Sequence, residues 1–247
     1  MIDVRTNQRV VHLVINAPPV NVLDAAVLAE LTDRLRDAAA REDVAAVVVS
    51  GEGRCFSAGA SVAEHKQEQA ASMLGHLLDA CAALAELPVP TVALVHGSCL
   101  GGAMELIEFC DMVVADPEAK LGQPEIKLAF FPPMASYRLP RLTGLQNAGY
   151  AILTGATLGA EEALRMGLVQ KLLPRADWEQ VDGWFNGLSA AALRVAKAAL
   201  VQGAGACRRE ALEGLNRLFM ERLYRLEDVA EGIASFEEKR KPVWTHR

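Results

Sequence analysis

Short, continuously apolar runs alternate with longer amphipathic segments along the first three quarters of the chain. The apolar runs lie at 9–16, 44–50, 91–96 and 112–115. Runs of this length predict strands, and runs without polar interruptions are typical of strands that are buried on both faces of a parallel sheet. The pattern therefore predicts a sheet of mainly parallel strands.

Apolar residues recur at helical spacing between these runs and again in the last quarter of the chain. The segments with this spacing are 24–40, 70–85, 101–110, 190–201 and 208–230. Asp24 is the expected N-cap of the first segment, because an aspartate side chain accepts a hydrogen bond from a free N–H of the first turn. Residues 121–133 are proline-rich and are expected to be irregular. Strand patterns end near residue 189, so we predict an α/β core at 1–189 and a helical section at 190–247.

Composition places the chain among ordinary globular proteins and argues against several functions. Of its 247 residues, 51% are hydrophobic and 23% are charged, which is enough apolar material for a buried core. The net charge of −6 argues against general nucleic-acid or membrane binding, because both favour basic surfaces. The first residues lack the apolar region of a signal peptide, and no uninterrupted apolar stretch is long enough to span a membrane. A cytoplasmic protein is therefore expected.

Two further features of the composition concern ligands. The five cysteines form no C-x-x-C pair, so we expect neither a disulfide framework nor a metal site. Residues 194–247 carry more Lys and Arg than Asp and Glu, although the chain as a whole is acidic. This basic bias is consistent with a solvated helical surface, or with positive charge offered to an anionic ligand or a neighbouring subunit.

Two loops rich in small residues follow predicted strands, at 54–60 and at 97–102. Ligands collect beyond the carboxyl ends of parallel strands, and small residues there let a ligand approach the backbone. Two such loops side by side could offer two N–H donors to one developing oxyanion. On spacing alone, ordinary turns explain both loops equally well. The chain lacks the G-x-G-x-x-G, G-x-x-x-x-G-K-[ST], G-x-S-x-G and H-E-x-x-H motifs, which disfavours dinucleotide, nucleotide, serine-hydrolase and zinc-protease functions.

Three runs resemble the signature blocks of the enoyl-CoA hydratase/isomerase (crotonase) superfamily: CFSAGAS at 55–61, HGSCLGGAMEL at 96–106 and LGQPEI at 121–126. The order and separations of the blocks match, and the resemblance spans essentially the whole chain. It implies an α/β fold, a crotonase-like spiral of ββα units, followed by a helical C-terminal section that mediates trimerisation. It also implies an oxyanion hole that the backbone N–H groups of Ala60 and Gly102 form around a thioester oxygen.

The resemblance assigns the acid–base chemistry to Glu105 and Glu125. Each glutamate by itself has an ordinary explanation, as an acid near a helix N-terminus or as a surface residue. Hydratases of the superfamily carry a glutamate at both matching positions, whereas many isomerases and hydrolases keep one. Two carboxyls can activate water and protonate the α-carbon. We expect Glu105 to activate water and Glu125 to exchange the α-proton, with coenzyme A as part of the substrate and no metal or redox cofactor.

The same resemblance suggests contacts for the rest of the substrate. Val20, Val22 and Ala58 match positions along the pantetheine arm, and Arg54 and Lys239 match basic residues near the 3′-phosphate and adenine. In the acyl pocket, the predicted contacts are Gly101, Pro133, Tyr137 and His65. His96 also titrates near neutral pH, but at a strand end it is expected to be a hydrogen-bonded core residue.

One segment departs from the common pattern of the superfamily. A glycine-rich stretch usually follows the G-Q-P-E block, and here FPPMASYRL occupies 131–139, with Ser61 in place of the usual aspartate. This combination is similar to that of cyclohexa-1,5-diene-1-carbonyl-CoA hydratases, which implies a cyclic conjugated dienoyl thioester as substrate.

The alternatives are a generic short-chain enoyl-CoA hydratase, an enoyl-CoA isomerase or a C–C hydrolase. An RNA-binding member of the superfamily is disfavoured by the acidic balance. A homotrimer or a hexamer of two trimers is the expected assembly.

Overall fold

The computed structural model describes residues 1–204 and, beyond them, residues 213, 216–217, 219–221, 223–225 and 227–243. The strands are β1 (Ile2–Asn7), β2 (Val10–Ile15), β3 (Ala46–Gly51), β4 (Thr91–Val95), β5 (Ser98–Leu100), β6 (Met112–Ala115), β7 (Lys120–Gly122), β8 (Thr157–Gly159) and β9 (Lys171–Leu172). The α-helices are α1 (Ala25–Ala39), α2 (Gln67–Glu86), α3 (Gly102–Ile107), α4 (Pro133–Thr143), α5 (Leu145–Thr154), α6 (Ala160–Met166), α7 (Glu179–Gly183), α8 (Ala190–Ala204) and α9 (Glu227–Glu237). Short 3₁₀ helices cover Val62–His65, Pro124–Leu128, Arg175–Asp177 and Leu223–Arg225.

Six strands form the main sheet in the order β1-β2-β3-β4-β6-β9. The β1–β2 hairpin is antiparallel, and every other pair in this sheet is parallel. The four apolar runs of the sequence are confirmed as β2, β3, β4 and β6. The sequence pattern missed β1, whose residues are mostly exposed and carry little hydrophobic signal.

Alternate residues of the parallel strands face two separate apolar clusters. Val47 and Val49 of β3 pack in the cluster that contains α1, α2 and α3. Val48 lies in the other cluster, with Leu173 and Phe185. Because successive side chains of a strand point to opposite faces, the sheet is buried on both faces, as the continuous apolar runs predict. Asp24 accepts a hydrogen bond from Val27 N at 2.8 Å, which confirms the predicted N-cap of α1.

A second sheet of three short strands, β5-β7-β8, corrects the prediction of a plain loop at 97–102. β5 runs parallel to β7, with Cys99 opposite Leu121. Cys99 also forms an isolated parallel bridge with Ser57. Backbone pairing of this kind leaves no hydrophobic period in three residues, so the sequence pattern could not reveal it. The second sheet holds the segments before α3 and before the 3₁₀ helix Pro124–Leu128 side by side.

Lys197 of α8 and Gly232 of α9 are two of the described residues through which the C-terminal helices contact the core. Lys197 of α8 is buried, where its ammonium lies 2.7 Å from an Asp111 carboxylate oxygen and donates to Val89 O at 2.9 Å. In α9, a side chain on Gly232 would meet Leu128 O at 2.2 Å, so only glycine allows this close approach to the 3₁₀ helix. Part of the predicted helix 208–230 lies outside the described residues, and the boundary at residue 189 stays a prediction. No helix in the described part of the chain is long and apolar enough to cross a membrane.

Candidate active site

A cavity of about 450 Å³ opens where the two sheets meet and is closed on one side by the C-terminal section. Its walls are predominantly apolar, and two carboxyl side chains, Glu105 and Glu125, reach it. The lining residues that matter most below are Ala58, Ala60, Gly101, Gly102, Phe131 and Pro133, with Phe219 and Phe236 from the C-terminal section. An apolar cavity with few polar groups is the usual form of a small-molecule site.

The two small-residue loops lie against each other along one edge of the cavity. Ser57 N donates to Ser98 O at 3.0 Å, and Leu100 N donates to Ser57 O at 3.3 Å. A Cβ added to Gly102 would lie 3.1 Å from the Ala60 side chain and 3.4 Å from Ala60 N. The backbone nitrogens of Ala60 and Gly102 are therefore close enough to point at one small ligand atom.

The N–H groups of Ala60 and Gly102 are both available to a ligand. The bridge between Ala60 and Leu23 uses Leu23 N and Ser61 N as donors, which leaves the Ala60 N–H unused. Gly102 is the first residue of α3, where an N–H has no acceptor within the helix. Within the described residues, no protein group accepts a hydrogen bond from either donor. Two free donors converging on one point are the arrangement that stabilises an oxyanion.

Glu105 is 3% exposed, and one of its carboxylate oxygens is fixed by backbone donors. Oε1 accepts from Met134 N at 2.7 Å and from Ala135 N at 3.1 Å. These N–H groups belong to the first turn of α4, so Glu105 satisfies donors that have no partner within that helix. Burial raises the pKa of Glu105 to about 7, and the two amide bonds partly oppose that rise because they favour the ionised form.

Glu125 follows Pro124 on the 3₁₀ helix and approaches the same cavity from the other side. Its Oε2 is buried and has no hydrogen-bond partner in the protein. Burial, and then repulsion by the Glu105 carboxylate, hold the pKa of Glu125 well above its ordinary value. Glu105 is thus fully buried and Glu125 partly buried, and the charge on one carboxyl affects the ionisation of the other.

Gly101 provides the space that Glu125 needs. Its φ is +52°, a conformation that other residues rarely adopt, and an added Cβ would lie 2.6 Å from Glu125 Oε1. The backbone of Gly101 is fixed by its N–H, which donates to Gly122 O at 2.9 Å. The turn that presents the Gly102 amide thus also packs against the Glu125 carboxyl.

The predicted substrate contacts fall into two groups. Ala58, Gly101 and Pro133 line the cavity. Val20 lies in a turn and Val22 directly follows it. Ala58 N donates to Val20 O at 2.9 Å, but neither valine lines the cavity. Arg54 and Lys239 are exposed and do not line the cavity. An arm that extends outwards from the cavity could pass these residues, so their roles stay predictions.

The structure does not bring Tyr137 to the cavity, although the sequence placed it at the acyl group. Residues 133–143 form α4, and Tyr137 lies on a face of this helix that packs against the core. Its ring stacks under the Arg141 guanidinium, 3.8 Å from the ring centre. The side chain of His65 lies outside the described part of the structure. His96 is buried with Nε2 bonded to Gly53 O at 3.0 Å, as expected for a core residue.

Sequence reasoning missed three features of this site. The Met134 and Ala135 amides could have been found from the Pro132-Pro133 pair, because proline favours the first position of a helix. Phe219 and Phe236 line the cavity from the C-terminal section, which no local pattern indicates. A third buried carboxyl, Glu108, follows Glu105 by one helical turn.

Comparison with known proteins agrees with the geometry. Residues 5–247 match the model of the family described as enoyl-CoA hydratase/isomerase. A probable enoyl-CoA hydratase of Mycobacterium bovis is 36% identical over 99% of this chain and 97% of its own length. A cyclohexa-1,5-dienecarbonyl-CoA hydratase of Thauera aromatica is 34% identical over 93% of this chain and 90% of its own. The crystal structure of an enoyl-CoA hydratase from Mycobacterium avium subsp. paratuberculosis superposes with a TM-score of 0.85, at 27% identity over 99% and 98% of the two chains.

Proposed function

Since the chain belongs to the enoyl-CoA hydratase/isomerase family and is an enzyme of the hydratase type, we propose that it adds water to a conjugated cyclic dienoyl-CoA thioester. Glu105 and Glu125 exchange the protons, and the N–H groups of Ala60 and Gly102 hold the thioester oxygen. Coenzyme A is the handle of the substrate, and the thioester with its oxyanion hole supplies the activation. The observation that carries the proposal is the pair of buried, differently bonded carboxyls facing one cavity.

The reaction follows from the states of the two carboxyls. Ionised Glu105 takes a proton from water as the water oxygen bonds to the β-carbon. The electron pair of the double bond moves towards the thioester, whose oxygen gains negative charge against the two amides. Protonated Glu125 gives its proton to the α-carbon. Water, the double bond and both protons are accounted for, and Glu105 ends protonated while Glu125 ends ionised.

The surroundings of each carboxyl favour the protonation state that this reaction requires at its start. Two backbone N–H groups donate hydrogen bonds to Glu105 Oε1, and these bonds favour the ionised carboxylate. No donor reaches Glu125 Oε2, which favours the neutral acid in a buried site. A base with a pKa near 7 is also close to the value at which general base catalysis is most efficient at neutral pH.

The cavity wall supports a ring as the acyl group. Phe130, Phe131, Pro132 and Pro133 stand in a row where glycines would leave open backbone, so one wall consists of flat, rigid side chains. Such a wall can pack against one face of a planar ring, and its rigid side chains lose little conformational entropy in doing so. The relative from Thauera aromatica, which is named for a cyclic dienoyl thioester, supports the same substrate class.

A short-chain enoyl-CoA is the second candidate substrate. The relative from Mycobacterium bovis, at 36% identity, is named as a probable enoyl-CoA hydratase without a cyclic substrate. Both substrates use the same carboxyls and the same oxyanion hole, so the choice between them concerns the walls of the cavity alone.

We further propose that the chain assembles into a trimer or a hexamer. Helices α5 and α8 leave large apolar side chains uncovered in the monomer, with Leu145, Leu153, Val195 and Leu200 each more than 70% exposed. Exposed apolar residues in such numbers are typical of surfaces that other copies cover. Native mass spectrometry of the purified chain checks the proposal, and a monomer at micromolar concentration would contradict it.

The decisive experiment compares crotonyl-CoA with cyclohexa-1,5-diene-1-carbonyl-CoA as substrates of the wild type, Glu105→Gln and Glu125→Gln. Loss of the absorbance of the conjugated thioester measures hydration. We expect the wild type to hydrate the cyclic substrate with the higher kcat/KM, and each variant to lose about 100- to 10,000-fold in kcat. Undiminished hydration by both variants would overturn the mechanism. A higher kcat/KM for crotonyl-CoA would overturn the substrate assignment and leave the mechanism standing.

A further inference from the structure

A third carboxyl, Glu108, is buried behind the two that face the cavity. It lies at the end of α3, one turn after Glu105, and is 1% exposed. It does not line the cavity, and the proposed hydration does not use it. A fully buried carboxyl requires a physical explanation, because burying an ionised group without a partner costs free energy.

The partner of Glu108 is Gln123, which is 0% exposed and joins β7 to the 3₁₀ helix that carries Glu125. Gln123 Nε2 donates to Glu108 Oε1 at 3.3 Å. The two remaining oxygens, Glu108 Oε2 and Gln123 Oε1, are both buried, and neither has a hydrogen-bond donor among the residues that the structure describes. Two side chains already joined by one hydrogen bond thus each keep one unsatisfied acceptor.

One proton would satisfy both of these oxygens. A carboxylic acid and a primary amide can form a ring of two hydrogen bonds, in which the amide N–H donates to the carboxyl C=O and the acid O–H donates to the amide oxygen. With Glu108 ionised, Glu108 Oε2 and Gln123 Oε1 would both lack a donor, and the buried charge would be stabilised by the one hydrogen bond from Gln123 Nε2.

We propose that Glu108 is a permanently protonated positioning residue, which links α3 to the segment carrying Glu125 through a paired hydrogen bond with Gln123. The link joins the two elements that hold the catalytic carboxyls, two residues before Glu125 on one side and one turn after Glu105 on the other. Its role in the reaction rests on the proposed function, whereas its protonation does not.

The charged and titratable groups around Glu108 agree with a neutral acid. Glu105 lies on the same helix and Glu125 on the 3₁₀ helix, and both oppose a further negative charge. Cys99 faces it from β5 as a thiol. Arg138 of α4 is the cation that would favour ionisation, but its Nε donates to the backbone oxygen of Glu108 at 2.9 Å rather than to the carboxyl. Burial followed by repulsion from Glu105 raises the pKa of Glu108 well above its ordinary value.

A neutral Glu108 has a consequence for Glu105. A second negative charge one helical turn away would make Glu105 harder to ionise, and the water-activating base would then require a higher pH. Keeping Glu108 protonated provides the link between the two elements without that repulsion.

The direct test is infrared spectroscopy of the whole protein, which needs no substrate. The difference spectrum of wild type minus Glu108→Gln at pH 8 is expected to show the carbonyl stretch of one protonated carboxyl. Glu118→Gln is the matched control, because Glu118 is exposed, and its difference spectrum is expected to show only an ionised carboxylate. Loss of a carboxylate band in Glu108→Gln would overturn the proposal whether or not the protein is active on either thioester.

The kinetic test separates a positioning role from simple space-filling. Glu108→Gln can keep two hydrogen bonds to Gln123, so its kcat and the acid limb of its pH profile are expected to stay within about twofold and about 0.3 pH units of the wild type. Glu108→Ala is expected to lower kcat by about 10- to 100-fold with KM within about twofold, because the catalytic carboxyls lose their alignment. A downward shift of the acid limb by about one unit in Glu108→Gln would mean an ionised Glu108. Equal kcat in both variants would contradict a positioning role.

Discussion

Glu105 and Glu125 face one cavity from two differently built regions. The Glu105 region is a corner between α3 and α4, where two amides of one helix fix a side chain of the other. The Glu125 region is a strand end followed by a 3₁₀ helix, where the carboxyl is packed against Gly101 and one oxygen has no donor. The side chains are identical, so the difference in their chemistry comes from the backbone around them. Hydrogen bonds favour charge at one carboxyl, and their lack disfavours it at the other.

In the proposed reaction, this difference matches each carboxyl to one role in proton transfer. An enzyme that hydrates a double bond needs one group that starts ionised and one that starts protonated. Glu105, where α3 meets α4, is the group expected to start ionised. Glu125, on the 3₁₀ helix, is the group expected to start protonated. Four experiments on variants test this contrast, in order of decreasing expected effect.

The first change is Glu→Gln at each position, tested on two reactions. Both variants are expected to lose about 100- to 10,000-fold in hydration. Moving a double bond from the β,γ to the α,β position needs α-proton exchange but no water, so Glu105→Gln is expected to keep measurable isomerisation of a 3-enoyl-CoA. Glu125→Gln is expected to lose it. The opposite result, with isomerisation surviving only in Glu125→Gln, would exchange the two assigned roles.

The second experiment compares free energies of unfolding to measure the cost of burying Glu105. Its pKa is about 7 in the folded protein against an ordinary value of 4.5, so the folded state binds the proton more tightly than the unfolded state. The stability due to that proton is present below about pH 4.5 and is lost as pH rises through about 7. Glu105→Gln is therefore expected to be more stable than the wild type by up to about 3 kcal/mol at pH 8, and by much less at pH 5.

Urea unfolding at pH 5 and pH 8 measures this difference. Glu86→Gln is a suitable control, because Glu86 is exposed at the end of α2 and its replacement should change stability equally at both values. A Glu105→Gln variant that is less stable than the wild type at pH 8 would mean that the amides of α4 outweigh the cost of burial.

The third change adds a methyl group where the two regions meet. Gly101→Ala places a Cβ 2.6 Å from Glu125 Oε1 in a backbone conformation that alanine disfavours. We expect about a 10- to 100-fold loss in kcat, because Glu125 and the adjacent Gly102 amide both move. Gly187→Ala is the matched control, since Gly187 also has a positive φ of +85° but no atom within 4 Å of an added Cβ. If both variants lose the same activity, backbone strain rather than the approach to Glu125 is responsible.

The fourth and smallest change concerns the wall that the C-terminal section provides. Phe236 lines the cavity yet is 53% exposed, so its ring gains little from packing within the monomer. Phe236→Ala is expected to raise KM by about 2- to 10-fold with kcat nearly unchanged, because a bound thioester would lose part of an apolar contact. Leu188→Ala removes a similarly exposed apolar side chain that neither lines the cavity nor belongs to the proposed assembly surface, and it is expected to leave KM unchanged.

Structural features that depend on local sequence could be predicted from the sequence alone. The continuous apolar runs predicted the four central strands, and Asp24 predicted the start of α1, because burial on both faces and N-capping are local requirements. The three motif blocks likewise predicted the family, which the match over residues 5–247 confirms. In contrast, β5 was missed, because its three residues are defined by pairing with distant backbone rather than by their own pattern.

The order of residues alone identifies the family and predicts the two glutamates and the small residues at Ala60 and Gly102 as parts of the site. How the glutamates differ follows from the folded chain, because the amides of Met134 and Ala135 reach Glu105 across a gap of about thirty residues. In the folded structure Phe219 lines the cavity and Tyr137 does not, and Glu108 is hydrogen-bonded to Gln123. Hydrogen bonding and desolvation depend on which groups are neighbours in space, and the order of residues along a chain does not specify those neighbours.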